Sequence, residues 1–81
     1  MTEERRRDIV KVAKKLAEDA KVSIRNIRAD FNKSIARSKD EKIITEDEAS
    51  NFGIDLQTSI DTANKKIDDV YKTKEIDIMK V

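Results

Sequence analysis

Ile9, Ala13, Leu16, Ala20, Ile24, Ile27, Phe31 and Ile35 follow one another at steps of 4, 3, 4, 4, 3, 4 and 4. Only an α-helix returns side chains to one face at that spacing, since a strand would alternate every second residue. The stripe is continuous, so one long helix carries it. The blocks from Ile9 to Ala20 and from Ala20 to Phe31 each advance eleven residues. That repeat keeps a nearly straight helix in register, and little left-handed supercoil is expected. Thr2 is a candidate N-cap, and Glu3 and Glu4 place carboxylates at the positive end of the helix dipole. The spacing predicts a helix over about 3–39, on the order of 55 Å long.

A second start signal is "TEDE": Thr45 sits at an N-cap with Glu48 three residues later, the pattern of a reciprocal capping box. Downstream, Phe52, Leu56, Ile60, Ala63, Ile67, Tyr71 and Ile78 continue an apolar stripe, predicting a second helix over about 46–79. Gly53 is the single glycine and costs that helix roughly 1 kcal/mol against alanine, which suggests a close packing point or a slight bend. The connection over about 40–45 contains neither Gly nor Pro and is short, so the helices are expected to lie antiparallel. The fold class is therefore all-α, a long antiparallel two-helix hairpin.

Composition agrees. Charged residues make up 43% of the 81 residues and aromatics 4%, which suits long helices with wide solvated faces. Two helices side by side bury only part of each stripe, and Val12, Ala17, Val70 and Ile76 widen the stripes further. A hairpin of this size is marginal alone. A third helix or a second copy of the chain is expected to cover the remaining face.

Several chemistries lack their residues. Without His or Cys the usual zinc ligand sets and the common base-assisted nucleophiles are missing. A single glycine excludes phosphate-cradling loops. The acidic run around Thr45 lacks the spacing of a calcium loop and reads as helix-start carboxylates. Asp68 and Asp69 are adjacent on a helix and point apart, a poor acid/base pair. No enzyme activity, cofactor or metal is expected. No apolar run approaches the roughly 18 residues that span a bilayer, and the charged start does not resemble a signal peptide, so the expected setting is the cytoplasm.

The net charge of +1 conceals an asymmetry: residues 1–42 carry 13 basic and 8 acidic side chains, whereas 43–81 carry 5 and 9. Within the basic half, Arg7, Lys11, Lys14, Lys21, Arg25 and Arg28 are separated by 4, 3, 7, 4 and 3. These residues share a face rotated roughly 120° from the apolar seam. Glu18 fills the one vacant slot. Two readings stand side by side. The line can be a solvated face with internal ion pairs such as Lys14 with Glu18. Alternatively, its near-uniform sign over about six turns and its two terminal arginines suit phosphate recognition. Few aromatics accompany it, which favours the backbone and shape of folded RNA over base stacking.

"TEERRRDIVKVAKKLAEDAKVSIRNIRAD" resembles the segment with which ribosome recycling factors re-enter their helical domain, with its TEERR start and its Arg-Asn-hydrophobic-Arg core at Arg25, Asn26, Ile27 and Arg28. "ITEDE", "DLQ" and "IDTANKKID" resemble the second long helix of the same family, and the likeness covers essentially the whole chain. The resemblance implies an L-shaped protein with a three-helix bundle and a small β-rich domain inserted after its first helix. Such a protein binds the large ribosomal subunit after termination and, with elongation factor G, splits the ribosome. It implies large-subunit rRNA as the partner of Arg25 and Arg28, with Asn26 and Asp30 matching the surrounding motif. Ala29 stands where many members have a basic residue, and Ser59 where the position is often apolar. The family's first helix and inserted domain have no counterpart in this sequence. The chain is thus expected to be a C-terminal part of such a protein, inactive in recycling by itself, and, without the helix that covers the bundle, to self-associate as a homodimer or higher oligomer through the apolar seams. The competing expectation is a helical-hairpin module that binds protein partners through its apolar stripes and has no RNA role. A membrane-surface helix fits less well, because the seam is needed for packing and lacks Trp.

Overall fold

A computed structural model describes residues 2–80 as two α-helices joined by a tight connection. Helix α1 spans Glu3–Asp40 and helix α2 spans Glu46–Met79. They run antiparallel in a thin rod with principal extents of 60 × 16 × 9 Å. Both starts are closed by the residues that the sequence singles out. The Thr2 hydroxyl accepts the Arg5 N–H at 3.1 Å. At α2, the Thr45 hydroxyl accepts the Glu48 N–H and the Glu48 carboxylate accepts the Thr45 N–H, both at 3.1 Å, completing the capping box. Each arrangement satisfies backbone donors that a helix start otherwise leaves without partners.

The end of α1 is built differently from what a glycine-free connection suggests. Ile43 N–H donates to the Ser38 carbonyl at 2.9 Å and Lys42 N–H to the Lys39 carbonyl at 3.0 Å. This is the paired closure of a Schellman motif, which needs a left-handed residue after the cap. Lys42 supplies it with φ 61°. A residue with a Cβ is disfavoured there, so the sharp turn carries some local strain.

Small residues let the helices approach. Ala13, Ala17, Ala20 and Ile24 of α1 are half-buried, as are Leu56, Ala63 and Ile67 of α2, and Ile60 alone among the described residues is buried, at 8% exposure. The apolar stripe of α1 does not meet α2 squarely. Its small members face the neighbour, whereas Leu16, Ile27 and Phe31 stay 64%, 58% and 53% exposed. Gly53 does not mark a close packing point: a Cβ built on it meets nothing within 4 Å.

Polar contacts tie the hairpin at two levels. Lys21 Nζ lies 2.6 Å from Asp68 Oδ1, the one ion pair between the helices among the described residues. Near the open end, the Arg6 guanidinium donates to the Met79 carbonyl at 3.4 Å. Elsewhere on α2, Asn64 Oδ1 is buried without a hydrogen-bond partner, which costs stability because its hydration is not replaced.

Candidate functional site

Helix α1 holds two unlike surfaces, and its rotation against α2 decides where each one points. Residues that advance in phase with Leu16 and Ile27 lie roughly 170° around the helix from those in phase with Arg7 and Arg25, at about 100° per residue. Once the alanines are turned to α2, the large apolar residues open on one flank and the basic line on the other.

On the basic flank, Arg7, Lys11, Lys14, Arg25 and Arg28 are exposed. Arg7 leans on Glu3 at 3.5 Å, a solvent-exposed pair one helical turn apart and of little energetic weight. Lys11, Lys14, Arg25 and Arg28 have no ion-pair partner among the described residues. The expected pair of Lys14 with Glu18 does not form. Its neighbours Lys15 and Asp19 pair instead, at 2.9 Å on the outer back of the helix. The line therefore keeps its charges available. A one-signed row of this kind attracts a polyanion, and Arg25 and Arg28 add planar donors that match phosphate oxygens in pairs.

Lys21 stands apart from the rest of the line. It is half-buried and bonded to Asp68 across the hairpin. That hydrogen bond, first among several influences, raises its pKa above the usual 10.5. The charges of Asp68 and Glu18 act in the same direction, while desolvation and Arg25 oppose them. Spacing alone could not separate Lys21 from its neighbours, because the acid that holds it lies 47 residues away on α2. In the other direction, spacing had more to offer. Lys39 follows Arg28 by eleven residues, is exposed, and extends the line toward the connection. Asn26 and Asp30 are exposed on the outer side of α1.

The apolar flank carries a groove. Its first part is about 590 Å³, lined by Ala13, Leu16, Ala17 and Ile24 from α1 and by Ala63, Lys66, Ile67, Val70, Tyr71 and Lys74 from α2. The second part, about 450 Å³, is lined by Ile24, Ile27, Phe31, Phe52, Asp55, Leu56, Ser59, Ile60 and Ala63. Ile24 and Ala63 belong to both parts, so the groove is continuous. Tyr71 closes one wall, its hydroxyl donating to Glu75 at 2.8 Å. That bond chiefly, with desolvation and the Glu75 charge, raises the Tyr71 pKa above its usual 10.0.

Among the described residues no cluster of potential metal ligands forms, and no helix is long and apolar enough to cross a membrane. The arrangement can bind through charge on one flank and through apolar shape on the other.

Comparison with known proteins bears on the partner. Residues 1–79 match the family model described as ribosome recycling factor. The chain is 46% identical, over all of its 81 residues, to the ribosome-recycling factor of Bacillus mycoides (strain KBAB4), and covers 44% of that protein. The ribosome-recycling factors of Bacillus thuringiensis (strain Al Hakam) and Bacillus cereus (strain B4264) are similar to the same extent, at 46% identity over the whole chain and 44% of their own lengths. The chain thus spans less than half the length of these curated relatives.

Proposed function

The chain belongs to the ribosome recycling factor family, and from that premise we propose that its basic flank docks on large-subunit ribosomal RNA. The observation that carries this reading is the pair Arg25 and Arg28: exposed, without ion-pair partners, and held on the flank that faces away from the apolar groove. Lys11 and Lys14 extend the same face, and Arg7 does so beyond its weak pair with Glu3. Lys21 contributes mainly by holding the face in place, since its ammonium is committed to Asp68.

Docking is electrostatic. Guanidinium and ammonium groups replace the counterions condensed on the RNA backbone, and affinity falls as salt rises. Asn26 and Asp30 match the family motif around the two arginines. No bond is made or broken by this chain. Splitting of the ribosome into subunits, with elongation factor G as the second factor, is the work of a whole recycling factor in the cytoplasm.

A salt titration of binding to isolated large subunits tests the reading. Replacing Arg25 and Arg28 with Ala is expected to weaken binding about 10-fold or more and to reduce the salt slope by about 2. An unchanged slope with unchanged helicity would overturn the RNA reading. It would favour the hairpin as a protein-binding module acting through its groove.

A further inference from the structure

We propose that Gln57 and Tyr71 are positioning residues for the basic face: each retains an acid of α2, Asp61 or Glu75, that otherwise closes onto the line. This role rests on the reading of the line as an RNA-docking face and adds what keeps that face open.

Lys21 and Asp68 meet across the hairpin at 2.6 Å, and their contact fixes the register of the two antiparallel helices. Seven residues make about two helical turns, roughly 10.5 Å of rise, and return a side chain to within about 20° of its starting direction. Two turns onward along α1 and two turns back along α2 lead from this pair to Arg28 and Asp61. The same step taken the other way leads to Lys14 and Glu75. The flank thus carries three levels, each with a base on α1 and an acid on α2. Glu75 also lines a cleft together with Arg7 and Lys11, which puts it on the basic side of the hairpin.

Among the described residues only the middle level closes as an ion pair. At the outer levels each acid takes a hydrogen bond from a neutral donor one turn earlier on its own helix. The Gln57 amide donates to Asp61 Oδ1 at 2.8 Å, and the Tyr71 hydroxyl donates to Glu75 Oε2 at 2.8 Å. By contrast, Glu3 and Asp19 on α1 take bases one turn away. A neutral donor occupies the carboxylate and leaves the guanidinium or ammonium donors of the opposite base unused. Without that donor, the base at the same level becomes the carboxylate's partner. Exposed pairs of this kind are weak, yet each one formed takes up donors that a phosphate needs.

Binding to heparin and to isolated large subunits, each over a salt series with helicity followed by circular dichroism, tests this. Gln57→Met keeps the length of the side chain and removes its donor, and Tyr71→Phe removes only the hydroxyl. Each is expected to weaken binding to both probes about 2- to 5-fold and to flatten the salt slope by up to about 1. The Gln57→Met loss should vanish in an Arg28→Ala background. Asp61→Asn should reverse it, with a gain larger than the same change gives in the unaltered chain. A residue that only supported the helix would show neither coupling. Glu75→Gln should likewise reverse the Tyr71→Phe loss, and this pair carries the test where Gln57→Met lowers helicity. Coupling on heparin without binding to large subunits supports the open line and overturns the ribosomal RNA reading alone. Donor variants that bind heparin like the unaltered chain would overturn the proposal. So would losses that persist unchanged without Arg28, or that Asp61→Asn and Glu75→Gln do not reverse.

Discussion

The two flanks of this hairpin are made by the same helix and differ in almost every physical respect. The apolar flank is a groove with small residues on its floor, whose worth depends on excluding water. The basic flank is a ridge of long side chains, whose worth depends on staying in water until a polyanion arrives. One is most sensitive to a lost methyl group. The other is indifferent to a methyl group and sensitive to salt. Helix α1 can serve both because its backbone hydrogen bonds are satisfied internally, leaving each face to be specified independently.

The contrast meets its most severe test at the helix interface. Ile60→Ala removes the one buried side chain among the described residues and is expected to destabilise by about 2–4 kcal/mol, read as a loss of helicity on heating or in urea. Arg25→Ala with Arg28→Ala should leave that helicity unchanged and alter only the salt-dependent affinity for large subunits. If the arginine pair lowered stability as much as Ile60→Ala, the flanks would not be separable.

Smaller effects are expected away from both flanks. Gly53→Ala places a methyl group in open space within a helix and should stabilise by about 0.5–1 kcal/mol in chemical denaturation. Lys42→Gly should gain a similar amount, about 0.5–1 kcal/mol, by relieving the left-handed residue in the turn. Neither should change RNA affinity, since both lie off the basic line.

The smallest effect concerns Lys21, the member of the basic line that is bonded across the hairpin. Because the folded hairpin raises the Lys21 pKa, its contribution to stability is complete below pH 10.5 and is lost as pH rises through the higher folded value. Tyr71, also raised, loses its contribution as pH climbs above 10.0 through its own folded pKa. Alkaline melting followed by circular dichroism should therefore show a decline in this window. Lys21→Met should remove the lysine part and Tyr71→Phe the tyrosine part.

Much of the local architecture is legible in the residues themselves. The steps of 3 and 4 require helices, and Thr45 with Glu48 marks a start because a capping box is a contact among four consecutive residues. The basic line is legible for the same reason. What spacing does not deliver is any statement that depends on the neighbour. Lys14 and Glu18 have the right separation to pair and do not, whereas Lys15 and Asp19 do. Gly53 suggests a packing role that its open surroundings deny.

Residue order alone is enough to dictate two long helices, their turning back on each other, and a basic line on α1 set apart from an apolar seam. These follow from backbone geometry and near-neighbour chemistry. How far α1 rotates on its axis is settled only in the packed hairpin. An apolar stripe wider than one contact leaves a choice of which part to bury, and here the alanines take the close approach while Leu16, Ile27 and Phe31 are left outside. That rotation opens the groove, commits Lys21 to Asp68, and aims Arg25 and Arg28 away from the groove.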